Sequence, residues 1–264
     1  MIKMIALDLD WTLLDSQRQI PPENKAAIAR ALDQGIVVVL ASGRNASSIA
    51  QYWNDLDRQG PIVSCNGAYV LDHDGKEVHH EALEAELRNR LISYAEDADT
   101  HVALYSRGRV MIANSNDWGD LYAARLRNLV PERVESSVMR EFDATKVLFV
   151  DDPERIRTHQ DLLGPEYGSI TYMTVSEPEY LEFMAPTVDK SVGLRVLSEK
   201  LGIAQGEVAA MGDGQNDVEM VQWAGFGAAP SNAREEVKSV ADRIFASNDE
   251  LGVAQFIDSI VYNL

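Results

Sequence analysis

The sequence predicts an α/β protein: a doubly wound, Rossmann-like parallel-sheet core interrupted by an α+β insert. Three observations carry this. Short Val/Ile/Leu runs alternate with amphipathic segments through the first part of the chain, the rhythm changes between residues 82 and 185, and it resumes to the end. The predicted organisation is therefore a core built from residues 1–81 and 186–264, with residues 82–185 as a separate unit inserted into it.

In order, Ile2 to Leu7 is a short apolar run suited to a strand buried on both faces of a parallel sheet. Asn24 to Leu32 is a helix, opened by the prolines of "IPPEN" and stopped by Gly35. "GIVVVLAS" gives a second strand, Ala46 to Leu56 a second helix, and "PIVSCNGAYVL" a third strand. "VLDHDGKEVHHE" reads as a hairpin turning at Asp74-Gly75. The insert supplies a helix from Glu84 to Glu96, strands "HVALYS" and "RVMIAN", and a helix from Asp117 to Leu129. It continues with strand "KVLFV", a helix from Pro153 to Leu163, and strands "SITYMTV" and "YLEFMA", expected to run antiparallel. From Lys190 the pattern is helix "SVGLRVLSEKLG", strand "EVAAMG", a helix from Asn216 to Trp223 and strand "FGAA". A helix from Ala233 to Val240, strand "RIFA" and a last helix to Tyr262 complete it.

Composition limits the function. A hydrophobic content of 45% with 25% charged residues is that of a folding chain. The formal charge of −18 argues against a sequence-independent grip on nucleic acid or anionic membranes, so neither is an expected partner. A small anion would need a local cationic site. Cys65 is the sole cysteine, which excludes an intramolecular disulfide. The start "MIKMIALDLD" lacks a secretory pattern, and no apolar run approaches the roughly 18 residues of a membrane span. A cytoplasmic protein is expected.

In an open parallel sheet, ligands gather beyond the carboxyl ends of the strands. Three polar clusters follow predicted strands: Asp8 and Asp10, then Ser42-Gly43-Arg44, then "GDGQND" from Gly212 to Asp217. Lys190 leads a helix. Taken singly, each has an ordinary reading as a turn, a helix cap or a solvated face. Together, in this order on one sheet, they describe a site. Asp8 and Asp10 share a face if the strand stays extended, and a helix starting near Gly214 would turn Asp213 and Asp217 to the same side. Carboxylates from separate chain ends suit a hard divalent cation, and one that also meets phosphate favours Mg²⁺.

These residues resemble the motifs of haloacid dehalogenase superfamily phosphatases, in the Cof-type group with a large α/β cap. The resemblance spans the chain and rests on Asp8-Leu9-Asp10-Trp11-Thr12, Ser42-Gly43-Arg44, Asn66-Gly67-Ala68, Lys190, and Gly212-Asp213 with Asn216-Asp217. It implies a Mg²⁺-dependent phosphatase of a small phosphorylated metabolite, a sugar phosphate above all, whose cap selects the substrate. Asp8 would be the nucleophile, Asp10 the general acid and base, and Ser42 and Lys190 the catalytic groups that hold the phosphoryl oxygens. The Asp8 carboxylate, the Asp10 carbonyl and Asp213 would hold the metal, with Asp217 beside them. Leu9, Thr12, Gly43, Arg44, Asn66 and Asn216 would complete the phosphate site, with Mg²⁺, Lys190 and Arg44 making it locally cationic. A monomer or small homo-oligomer is expected.

Two other readings share parts of this pattern. A phosphotransferase similar to the eukaryotic-type phosphomannomutases uses the same core. A receiver-like phospho-switch also combines Asp, a hydroxyl and Lys, but lacks the late Gly-Asp-x-x-Asn-Asp cluster and the insert. His79-His80 should point to opposite faces of a strand, which disfavours a metal pair. His101 and His159 read as ordinary cap residues, and Trp53, Trp118 and Trp223 as packing groups. Tyr105, Arg107 and Arg109 are weaker candidates for contact with a leaving group. Trp11 stands where the resembled group has Gly; a left-handed backbone there would cost about 1–2 kcal/mol, so the expectation is a conformation that avoids it, with the indole near the cap entrance.

Overall fold

The computed structural model describes residues 1–113, 117–126 and 129–263, so the expected strand residue Asn114 and helix residues Arg127 and Asn128 lie outside the described residues. Two compact units are present: Met1–His79 with Asp189–Leu264, and His80–Val188.

The first unit opens with β1 (Met4–Asp8), α1 (Pro22–Asp33), β2 (Val37–Ala41), α2 (Ala46–Asp55), β3 (Ile62–Ser64), β4 (Tyr69–Leu71) and β5 (Glu77–His80). The second unit contains α3 (Ala85–Asp97), β6 (His101–Ser106), β7 (Arg109–Ala113), α4 (Asp117–Arg125), β8 (Glu132–Val134) and α5 (Ser136–Met139). It ends with β9 (Lys146–Val150), α6 (Pro153–Tyr167), β10 (Tyr172–Glu177) and β11 (Tyr180–Met184). The first unit resumes with α7 (Lys190–Leu201), β12 (Val208–Met211), α8 (Val218–Trp223), β13 (Phe226–Pro230), α9 (Glu235–Val240), β14 (Arg243–Phe245) and α10 (Gly252–Val261).

The first unit's sheet has the order β14-β13-β12-β1-β2-β3-β4-β5, and every pair from β14 to β3 is parallel. Strand alternation divides its residues between two cores. Ile5, Leu7, Val38 and Leu40 pack with Ile28, Ile49, Tyr52 and Phe256, whereas Met4, Ala6, Val39 and Ala41 pack with Leu194, Leu197 and Met220. Burial on both faces is why these strands read as unbroken apolar runs. "PIVSCNGAYVL", expected as one strand, is two: β3 and β4 pair antiparallel across a turn at Cys65–Gly67. Cys65, Asn66 and Gly67 all have positive φ there, and a Cβ on Gly67 would lie 2.1 Å from the Asp189 carbonyl oxygen. The chain can reverse at this point only because Gly67 carries no side chain.

The second unit's sheet has the order β10-β11-β9-β6-β7-β8. Its pairs are antiparallel except β7 with β8. Val102, Leu104, Val147, Phe149, Leu181 and Phe183 form one face, packed on Leu87, Leu91 and Ile92 of α3 and Ile156 and Leu163 of α6. The short elements β8 and α5 were not evident in the sequence, since segments of three or four residues give no readable periodicity.

Candidate active site

The parallel register brings the sequence-predicted clusters together. Leu7 pairs with Met211 and Asp8 with Ala41, so the chain ends following β12, β1 and β2 leave the sheet side by side. The Ser42 N–H continues the ladder onto the Val63 carbonyl at 2.9 Å, and the Asn66 N–H donates to the Ser42 carbonyl at 3.2 Å. Strand β1 has β2 on one side and β12 on the other, so the site lies at the switch in strand order where open α/β sheets bind ligands.

At its centre Lys190 is fully buried, and Nζ donates to Asp8 Oδ1 and to Asp217 Oδ1, each at 2.6 Å. Asp189 caps α7 by accepting from the N–H groups of Ser191 and Val192, which fixes Lys190 as the first helical residue. The Asp217 Oδ2 atom accepts from the N–H groups of Asp213 and Gly214 at 3.0 and 2.9 Å. The 213–217 segment is thus a turn folded around Asp217, with a 3₁₀ turn at Gln215–Asp217, and not a helix beginning at Gly214. A Cβ on Gly212 would lie 2.4 Å from Asp217 Cγ, so glycine is needed for this closure.

Asp8, Asp213 and Asp217 each offer a carboxylate oxygen, all within 4.8 Å of one another. Three carboxylates face one ammonium. Burial, reinforced by the charge of Asp217, pushes the Asp8 carboxyl well above its ordinary value despite Lys190. The same two causes push Asp213 up to about 6, although the Thr12 hydroxyl donates to its Oδ1 at 2.7 Å. Burial alone would lower Lys190, but Asp217 and Asp8 outweigh it and hold the ammonium above its usual range. An oxygen-only donor set with unbalanced negative charge fits a hard divalent cation.

Asp10 lies apart from this trio. Strand β1 ends at Asp8, and the chain coils through Leu9–Leu13, so Asp8 and Asp10 do not share the face of an extended strand. The Asp10 carboxylate turns to Arg44, with Nε to Oδ2 at 2.7 Å and Nη2 to Oδ1 at 2.6 Å. Trp11 corrects another expectation. Its φ is 62° and ψ 7°, the left-handed conformation it was expected to avoid, and the residue is 59% exposed. Burial of Leu9, Thr12 and Leu13 on either side fixes the coil, and Asn232 Nδ2 holds the Trp11 carbonyl at 2.8 Å, so the chain accepts the strain at the exposed position.

Among the remaining expected residues, Leu9 is buried in the core and Ser42 is buried with its Oγ accepting the Arg44 N–H. Gly43 packs against Asn66, whose Oδ1 accepts from Asn216 Nδ2 at 2.9 Å. Helix α2 is capped by Asn45, not by Ser42. Sequence reasoning missed Tyr52, whose hydroxyl accepts from Arg44 Nη1 at 3.0 Å. Its place on α2, eight residues after Arg44, which precedes the helix cap, was the available signal, but it reads equally as core packing.

The chain belongs to the haloacid dehalogenase-like hydrolases, whose family model matches residues 5–257. Within that class it is a Cof-type phosphoric monoester hydrolase. It is 28% identical to phosphatase YwpJ of Bacillus subtilis, over 98% of this chain and all of that one. It is 30% identical to the 5-amino-6-(5-phospho-D-ribitylamino)uracil phosphatase YitU of the same organism, over 96% of each chain. Among solved structures, a haloacid dehalogenase-like hydrolase from Bacteroides thetaiotaomicron superposes with a TM-score of 0.89 at 32% identity, covering 98% of this chain and 100% of that one. No helix among the described residues is long and apolar enough to cross a membrane.

Proposed function

We propose that the protein is a Mg²⁺-dependent phosphatase that hydrolyses a small phosphorylated metabolite, a sugar or sugar-alcohol phosphate, through an aspartyl-phosphate on Asp8. The observation carrying this reading is the placement of Asp8 against Lys190 with Asp213 and Asp217 in reach. A carboxylate attacking an anionic phosphate is repelled unless fixed positive charge offsets both. Mg²⁺ held by Asp8, the Asp10 carbonyl, Asp213 and Asp217 would supply that charge beside Lys190.

In the first step an Asp8 carboxylate oxygen forms a bond to phosphorus. The bond to the leaving oxygen breaks, and Asp10 gives that oxygen a proton. In the second, Asp10 takes a proton from water, the hydroxyl forms the new bond to phosphorus, and the Asp8–phosphorus bond breaks to release phosphate. Ser42 and Lys190 hold phosphoryl oxygens throughout, while Leu9, Thr12, Gly43, Asn66 and Asn216 shape the cradle. Substrate selection falls to the insert, residues 82–185. The relative acting on a phosphorylated ribityl compound supports a polyol phosphate as the class to try first.

The test is turnover of purified protein on a panel of sugar, sugar-alcohol, nucleotide and carboxylic acid phosphates, with Mg²⁺ and with chelator. The expected result is Mg²⁺-dependent phosphate release that Asp8→Asn abolishes. No release from any compound, or full activity in Asp8→Asn, rejects the reading.

A further inference from the structure

We infer that Asn232 is a positioning residue for the metal cradle: it holds the coil that carries Asp10 in register with the loop that carries Asp213, and thereby favours Mg²⁺ over the larger Ca²⁺. The inference rests on the Mg²⁺ reading proposed above.

Three hydrogen bonds close a ring through segments remote in sequence. Asn232 Nδ2 donates to the Trp11 carbonyl at 2.8 Å. The next residue, Thr12, donates its hydroxyl to Asp213 Oδ1 at 2.7 Å. The Asp213 carbonyl then accepts the Arg234 N–H at 3.0 Å, and Arg234 lies two residues after Asn232. Asn232 is also anchored from outside the ring. Its Oδ1 accepts the Asn248 N–H at 3.0 Å, and the buried Asn248 side chain donates through Nδ2 to the Leu14 carbonyl at 2.9 Å. With its oxygen and its nitrogen both engaged, the Asn232 amide has one orientation.

The coil needs such a hold. The Asp10 carbonyl, one of the proposed metal ligands, belongs to the peptide that joins Asp10 to Trp11, so its direction follows Asp10 ψ, 126°, and Trp11 φ, 62°. A left-handed tryptophan is strained, and strain persists only where the surroundings over-determine the backbone. Asn232 restrains the very next carbonyl. Without that amide Trp11 can relax, and the Asp10 carbonyl turns with it. The fold does not depend on the contact, because Asn232 is exposed in the turn between β13 and α9 while Leu9, Thr12 and Leu13 are buried independently of it. Mg²⁺ requires a near-ideal octahedron of oxygens at about 2.0–2.1 Å, whereas Ca²⁺ accepts longer and irregular coordination. A loosened cradle therefore penalises Mg²⁺ more than Ca²⁺.

The experiment is calorimetric titration of the full chain with MgCl₂ and, separately, with CaCl₂, for wild type and variants. Thermal melts with chelator report the fold without metal. Asn232→Ala is expected to weaken Mg²⁺ about tenfold and Ca²⁺ less than about threefold, the scale of losing a group that orients a metal ligand. Its metal-free Tm should stay within about 2 °C of wild type, since the lost bond is exposed. Asn232→Asp keeps the acceptor for the Asn248 N–H but not the donor for the Trp11 carbonyl, and it carries the test if Asn232→Ala does not fold. Its added charge acts on both cations alike, so the ratio of the two dissociation constants is read, and that ratio should move the same way.

Equal weakening of both cations, or no change in the ratio, makes Asn232 a structural or peripheral residue and overturns the inference. Where the wild type binds Mg²⁺ alone, Ca²⁺ binding gained by the variant supports the inference and its absence overturns it. A wild-type protein that binds no Mg²⁺ overturns the Mg²⁺ reading and this inference with it; the other adverse results overturn this inference alone.

Discussion

Among the described residues two lysines are buried, one in each unit, and the contrast between them separates a reactive cluster from a structural one. Lys190 meets Asp8 and Asp217, with Asp213 in the same group, so three carboxylates surround one ammonium. Lys146 of the second unit meets Glu182 at 3.1 Å, one charge against one. Its Nζ also lies 4.5 Å from the Tyr105 ring centroid, and Ser176 Oγ donates to Glu182 Oε1 at 2.8 Å. Tyr105 and Tyr122 join hydroxyls beside this pair. The second cluster is satisfied by what the chain provides. The first is left with excess negative charge, a cost that folding alone gives no reason to accept and that a bound cation would remove.

Removing each lysine sharpens the comparison. Lys190→Met is expected to lower turnover by about 10²–10³-fold, the range for deleting one group that stabilises transition-state charge. Retained activity would assign the anion-holding role elsewhere. In the second unit, Glu182→Leu leaves Lys146 buried without its carboxylate and should cost about 3–5 kcal/mol in denaturant unfolding. Lys146→Met with Glu182→Leu should recover most of that loss, because a balanced pair can be exchanged for apolar groups of similar volume. A double variant as unstable as the single one would contradict the structural assignment.

A smaller effect concerns Mg²⁺ and pH. Asp213, pushed up to about 6, is protonated more readily in the folded protein than in the unfolded chain. Its contribution to stability is therefore fully present below its unfolded pKa of about 4 and lost as pH rises through about 6. Mg²⁺ should raise Tm more at pH 7.5 than at pH 5, as read by thermal melts with metal and with chelator. Equal shifts at the two pH values would mean that the ion binds elsewhere. Smallest of all, Trp11→Gly relieves a left-handed residue at φ 62° but loosens the unfolded chain. A net rise of about 1–2 °C in Tm is expected, and a fall would mean that the exposed indole contributes more than its backbone costs.

The parallel sheet was readable because β1 and β2 are buried on both faces and therefore appear as continuous apolar runs. The polar clusters were readable because each abuts such a run or, for Lys190, opens a helix. The reversal at Cys65–Gly67 was not, since its cause is the approach of Gly67 to the Asp189 carbonyl, more than a hundred residues away in sequence. Nor was the left-handed Trp11, because a local preference against positive φ is weaker than the burial of Leu9 and Leu13 that fixes the coil.

What the sequence determined by itself was an α/β order of elements and a set of acidic, hydroxyl and lysine residues at their ends, because periodicity and residue chemistry are local. Tertiary structure alone divided the labour among them. Strand register gathered Asp8, Asp213 and Asp217 around Lys190, and the same fold set the Asp10 carboxylate on Arg44. Which carboxylate meets the lysine and which meets the arginine depends on distances between segments remote in the chain, and those distances exist only once the sheet has formed.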